Sequence, residues 1–195
     1  MSKFKGKKTN NAKIDAKTEL RKLIDCKDLS VLECFCGSGE MFEAVWKDAC
    51  HYEGIDIKKQ DDSRITHQGD CALMLKKLNL EKFNVFDIDA YGSPYECLHI
   101  IFEKIKKQEK NRKYHFFITD GIEIDLRMGK IENFFGLLAG LNAKKLNNAH
   151  LLHDCFIKKI IKNLCLNMGA ELINSAIAKG KTGSGMRYFY FSIKT

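Results

Sequence analysis

The sequence predicts an α/β fold whose mostly parallel seven-stranded sheet finishes in a carboxy-terminal antiparallel hairpin. Three observations predict it. Short apolar strands alternate with amphipathic segments of helical period, and such alternation calls for parallel strands with helices on both faces. A length of 195 residues suffices for one well-buried core. Two β-rich stretches at the end flank a glycine-rich turn, Lys179 to Gly185, which is the pattern of a hairpin.

In order along the chain, residues 1–13 carry five lysines and little that packs, so a basic flexible tail is expected there. Residues 14–195 are expected to form a single domain. Leu20, Leu23 and Ile24 mark a short helix within Ile14 to Asp25. Ser30 to Glu33 rises into a strand that ends in Cys36-Gly37-Ser38-Gly39. Met41, Phe42, Val45, Trp46 and Ala49 then share one helical face. Tyr52 to Ile57 is a second strand. A short strand near Ile65 and a helix through Ala72, Leu75 and Leu78 follow. Asn84 to Asp89 is apolar at Val85, Phe86 and Ile88. Beyond Gly92 a helix is expected to start with Ser93 as its cap, Pro94 at its first position and Glu96 completing a capping box. Its buried stripe is Leu98, Ile101, Phe102 and Ile105. Tyr114 to Thr119 is the next strand, closed by Asp120-Gly121. Ile122 to Asn148 mixes apolar clusters with Gly129, Gly136 and Gly140 and has no clear period. Ala149 to Met168 reads as one long helix that Gly169 terminates. Glu171 to Ala178 and Met186 to Ile193 complete the strands.

Composition narrows the class. The chain is 45% hydrophobic and 30% charged, which describes a soluble globular protein. No apolar run is long enough to span a bilayer, and no apolar stretch follows the basic start, so neither a membrane span nor a secretory signal is expected. None of the eight cysteines stands in a CxxC pair, which favours reduced thiols and a cytoplasmic location. A net charge of +8 favours polyanionic partners, although a lysine-rich surface alone would give the same balance. His150, His153, Asp154 and Cys155 lie close together, but without a second ligand cluster they read as an ordinary helix start, and no metal is expected. Gly180-Lys181-Thr182 lacks the upstream glycine of a phosphate loop, whose place Ser175 takes, and no helix is expected after it.

Ligands of open α/β sheets collect outside the carboxyl ends of the strands, where the strand order reverses. Glu33-Cys34-Phe35-Cys36-Gly37-Ser38-Gly39 lies at the first such end. Gly37 and Gly39 permit a tight turn and close approach of a ligand. Asp56 ends the second strand about 20 residues later, the spacing at which a carboxylate meets both hydroxyls of a ribose; a helix cap is the alternative. Asp70 reads equally as a partner for an adenine amino group or as a helix cap, with the amide of Cys71 against the ring. Phe42 stands where a dinucleotide fingerprint needs its last glycine. Glu33 would welcome a cationic group and repel a pyrophosphate, so S-adenosylmethionine (SAM) is favoured over NAD. The strings V-L-E-C-F-C-G-S-G, G-I-D-I and G-D-C resemble the first three motifs of class I SAM-dependent methyltransferases. The resemblance implies their Rossmann-like fold and a donor site of Glu33, Phe35, Cys36, Gly37, Gly39, Asp56, Ile57, Asp70 and Cys71.

Asp87-Ile88-Asp89-Ala90-Tyr91-Gly92-Ser93-Pro94 contains the only proline. It resembles the D-x-D-P-Y-G-S-P segment of the tRNA guanine-N2 dimethyltransferase family, with Ala90 in place of that family's first proline. More loosely it resembles the D/N-P-P-Y/F motif of DNA and RNA amino-methyltransferases. Ile118-Thr119-Asp120 is similar to the T-D of the same tRNA family. The resemblance implies a nucleic-acid substrate, RNA before DNA, with a base taken out of its stack. Asp89 is expected to accept hydrogen bonds from the exocyclic amine, the Ala90 carbonyl to hold its second proton, and Tyr91 to stack on the base. Gly92, Ser93, Pro94 and Asp120 are expected on the acceptor side. Asp87 is read as structural, at the sheet edge; for Tyr91 the alternative is packing beneath the following helix. A DNA adenine or cytosine amino-methyltransferase and a SAM- or nucleic-acid-binding module without activity remain the competing readings.

Overall fold

The computed structural model describes residues 11–24, 28–108, 110–179 and 185–195. The seven strands are β1 (Ser30–Cys34), β2 (His51–Asp56), β3 (Thr66–Gln68), β4 (Val85–Asp89), β5 (Lys113–Asp120), β6 (Glu171–Lys179) and β7 (Arg187–Lys194). They form one sheet in the order β3-β2-β1-β4-β5-β7-β6. Only β7 runs against its neighbours, pairing antiparallel with both β5 and β6. β1 is flanked by β2 on one side and β4 on the other, so the strand order reverses there. Among the described residues no helix is long and apolar enough to cross a membrane.

The period-two pattern of the strands sorts side chains onto two covered faces. Leu32, Cys34, Phe86, Ile88, Phe116, Ile118, Phe189 and Phe191 share one core with α3 (Cys71–Lys77), α4 (Tyr95–Ile105), α6 (Asn133–Ala139) and α7 (His153–Met168). Stacked rings reinforce it, with the Phe116 and Phe191 centroids 4.7 Å apart. Val31, Val85, Phe117, Tyr188 and Tyr190 face the other way, onto Leu20 of α1 (Asn11–Arg21) and onto Met41 and Trp46. On β2, next to the edge strand β3, the buried Glu53 carboxylate accepts from His67, His51 and Lys82.

Several boundaries differ from the sequence reading. The expected tail over 1–13 lies largely outside the described residues, but helix α1 already begins at Asn11 and ends at Arg21 rather than near Asp25. After Gly39 the chain forms a short α2 (Glu40–Ala44) and a separate 3₁₀ turn (Trp46–Asp48), because Val45 at φ −140° leaves the helical region. Pro94, not Ser93, occupies the cap position of α4, at φ −86° and ψ −6°. The Ser93 hydroxyl accepts only a long bond from the Tyr95 amide, 3.4 Å, and Glu96 lies near Lys76, so the capping box does not close. Residues 122–148 contain α5 (Glu123–Arg127) and α6, with a bridge between Lys130 and Lys145. The long carboxy-terminal helix starts as a 3₁₀ turn over Ala149–Leu152 before α7, and Gly169 ends it at φ +62°. The turn between β6 and β7 lies mostly outside the described residues.

Asp87 is structural, as expected, but it sits mid-sheet on β4 rather than at an edge, and it is fully buried. The Arg21 guanidinium ion-pairs with both of its oxygens, and Trp46 Nε1 donates to Oδ2 at 2.8 Å. This bond ties α1 to the middle of the sheet. Removing one member of a buried pair strands the other, at a cost of about 3–5 kcal/mol. Asp87→Ala is therefore expected to lower unfolding free energy in urea by that amount, and Arg21→Met added to it to recover a substantial part. A loss below about 1 kcal/mol, the scale of an exposed pair, would contradict the assignment.

Candidate active site

The loop after β1 owes its shape to left-handed backbone. Phe35 (φ +64°), Gly37 (φ +45°) and Gly39 (φ +87°) all adopt it, which curls the chain across the carboxyl end of the strand and into α2. A Cβ on Gly37 would meet nothing nearer than the Phe35 carbonyl at 4.0 Å, so that face of the loop is open. The Asp56 carboxylate braces the loop from β2. Its Oδ2 accepts the Gly37 amide at 2.9 Å and its Oδ1 the Lys58 amide at 2.8 Å. No helix follows Asp56, so the cap reading of this residue falls away. The Gly69 amide bonds the Asp56 carbonyl at 2.9 Å, which draws the Asp70-Cys71 segment to the same strand end. Asp70 caps α3, accepting the Leu73 amide at 3.0 Å, while Cys71 is buried in the first helical turn. Phe35 and Ile57 present exposed apolar side chains beside these polar groups.

Arg64 was not marked by any strand-end or glycine pattern, yet it belongs here. Its guanidinium donates to the Gly37 carbonyl at 2.9 Å and the Cys36 carbonyl at 3.3 Å, and Asp62 pairs with it at 2.6 Å. Gly39 holds φ +87°, a conformation that side chains rarely adopt, and a Cβ there would also lie 2.7 Å from this guanidinium.

Glu33 departs from its expected role. It is buried beneath Tyr52, whose hydroxyl donates to Oε2 at 2.6 Å. Burial, with Asp87 and Asp89 nearby, pushes its carboxyl up to about 8. Enclosed in this way and held toward its neutral form, the carboxyl stands behind the loop, with the Tyr52 hydroxyl against it.

On the acceptor side, Asp89 ends β4 beside Thr119 of β5. Ala90 and Pro94 are buried, whereas Tyr91 is 86% exposed, so its ring does not pack beneath α4. The loop is pinned by its backbone. The Gly121 amide bonds the Gly92 carbonyl at 3.0 Å, and a Cβ on Gly121 would lie 2.3 Å from the Tyr91 carbonyl oxygen. Ser93 donates to Glu132, the carboxylate that caps α6. Asp120 is the second correction. It is fully buried and accepts from Tyr95, from His153 Nε2 at 2.8 Å and from the Ile122 amide at 3.0 Å, so no acceptor reaches it. The ends of β1, β2 and β4 thus gather the glycine loop, Asp56, Ile57, Asp70, Cys71 and the 89–94 segment. Glu33 and Asp120 stand behind them.

No family model matches the chain, and no curated protein matches its sequence. Solved structures do match. A candidate hemolysin from Lactococcus lactis superposes with a TM-score of 0.58 at 14% identity, over 94% of this chain and 85% of that one. An S-adenosylmethionine-dependent methyltransferase from Mesorhizobium loti gives 0.54 at 12% identity, over 91% and 96%. The N-methyltransferase NodS from Bradyrhizobium japonicum, in complex with S-adenosyl-L-homocysteine (SAH), gives 0.57 at 10% identity, over 96% and 89%. Likeness at such identities is a likeness of fold: the chain shares a Rossmann-like architecture with the hemolysin and with the two methyltransferases.

The shielded carboxyl has a pH signature. A folded value of about 8 lies above the ordinary value of 4.5, so the folded chain keeps a proton that the unfolded chain releases. The stabilisation is full below pH 4.5 and is lost as pH rises toward 8. Urea unfolding between pH 5 and 8 is expected to show stability falling for the wild-type chain and a flatter profile for Glu33→Gln. Parallel profiles would contradict a proton on Glu33.

Proposed function

We propose that this chain is a SAM-dependent methyltransferase acting on an exocyclic amine of a nucleic-acid base, with RNA the preferred substrate. One observation carries the reading: the glycine loop with its bracing carboxylate lies next to Asp89 and an unpacked tyrosine, at the point where the strand order reverses.

The residues present fit the donor. A carboxylate offers about four acceptor positions. Asp56 uses one per oxygen on backbone amides, which leaves acceptor positions for ribose hydroxyls. Phe35 and Ile57 supply apolar faces for an adenine, and the free oxygen of Asp70 suits its amino group. The open face at Gly37 leaves room for the amino-acid portion against the loop, whose carbonyls are held in place by the enclosed Arg64 guanidinium, itself already paired with Asp62. Bound there, SAM supplies an electrophilic methyl group.

An exocyclic base amine is a weak nucleophile, because its lone pair is delocalised into the ring. Asp89 accepts one N–H, the Ala90 carbonyl holds the other, and Tyr91 covers the base face, so that the lone pair turns toward the donor. Most of the acceleration is positioning. The net charge of +8 supports a polyanion as the carrier of the base, and the free thiols of the described cysteines suit the cytoplasm. A binding module without turnover is the second reading, favoured by the bond that already occupies Asp89.

Tritiated SAM incubated with total tRNA, genomic DNA and protein extract is expected to label the tRNA. Asp89→Ala is expected to lose ~10²–10⁴-fold in turnover while its affinity for SAM is retained. Label in protein alone would refute the base-amine reading, and an unaffected Asp89→Ala would favour the binding module.

A further inference from the structure

Asp89 is not free. Lys17 Nζ, from α1, lies 2.6 Å from both of its oxygens, with side chains 13% and 17% exposed, and 5.9 Å over the Tyr188 ring. We propose that Lys17 gates the acceptor site, its ammonium standing where the acceptor amine must stand, so that an acceptor enters only by drawing Lys17 away. The inference rests on the role given to Asp89 above.

Bonds between an ammonium and a carboxylate are about twice as strong as those of a neutral donor. A neutral base amine therefore cannot displace Lys17 by itself. What can move, and what cannot, follows from the helix. One turn along α1, Arg21 is sealed against Asp87, and Leu20 and Ile24 are buried with Trp46 and Tyr190, so the helix stays docked. Lys17 sits nearer the amino end of the same helix, partly exposed, on a flexible four-carbon stem that turns without the backbone.

A phosphate solves the exchange problem. It offers the ammonium a new anionic partner, so Lys17 trades one charge-assisted bond for another as the base reaches Asp89. An acceptor that carries its own phosphate opens the gate, while a free nucleoside with the same amine leaves it shut. Lys17 thereby becomes a specificity-determining residue that acts through Asp89, and the substrate class narrows to phosphate-bearing nucleic acid.

The test compares total tRNA with the same tRNA digested to nucleosides, each with tritiated SAM, for the wild-type chain, Lys17→Met, Lys17→Gln and Lys17→Arg. SAH binding and melting temperature are followed in parallel. The wild-type chain and Lys17→Arg should label tRNA and leave nucleosides nearly unlabelled. Lys17→Met and Lys17→Gln should cut the preference for tRNA by about tenfold, the worth of ~1.4 kcal/mol of lost competition, by gaining activity on nucleosides. Unchanged SAH affinity separates this from a general disturbance of the fold. An unaltered preference, or loss of turnover on both substrates while SAH still binds, overturns the gate. Absence of SAH binding by the wild-type chain instead removes the donor reading and the gate with it.

Discussion

The arrangement of this molecule follows from one constraint, the reversal of strand order between β1 and β4. Crossovers between parallel strands are right-handed, so the connection from β1 outward to β2 and the one returning from β3 to β4 must lie on opposite faces. Trp46, in the first connection, is indeed buried with α1, whereas Leu75 of α3, in the second, is buried with α4 and α7. The two connections part above β1 and β4 and leave their carboxyl ends uncovered. Every candidate site residue that the structure brings together lies at that opening or on the loops bordering it.

The same constraint concentrates negative charge. Strand alternation puts Glu33, Asp87 and Asp89 on one face of adjacent strands, and each is neutralised in its own way. Glu33 keeps a proton, Asp87 is matched by Arg21, and Asp89 is matched by Lys17. The spacing of two on a strand and four on a helix lets one helix serve both aspartates. Depth separates their roles. The inner pair is sealed and holds the helix, while the outer pair meets solvent and is open to exchange.

Much of the fold was legible because burial writes a period into the strands. Val85, Phe86 and Ile88, or Tyr114 to Thr119, read as covered strands without further information, and Gly169 marked its helix end. The places of Asp56 and Asp89 at strand ends were legible, the first through its distance from Gly37 and the second through its neighbours. Depth was not. An acidic residue at a strand end looks the same in sequence whether it opens to solvent, like Asp89, or is enclosed, like Asp120 among Tyr95 and His153. Partners from remote segments were equally invisible, since nothing near Lys17 or Arg64 announces the carboxylate or the carbonyls that they reach. The start of α4 misled because Ser93 turns toward Glu132, which leaves the cap position to Pro94.

The account stands on a nucleoside site formed by the loop after β1 and the Asp56 carboxylate. Isothermal titration of SAH into the wild-type chain and into Asp56→Ala tests it most directly. The account predicts a single-site heat for the wild-type chain with affinity between about 1 μM and 1 mM, and binding at least about tenfold weaker once the carboxylate is gone. A wild-type chain that gives no heat with SAH or SAM, or an Asp56→Ala variant that binds as well as the wild type, would contradict it.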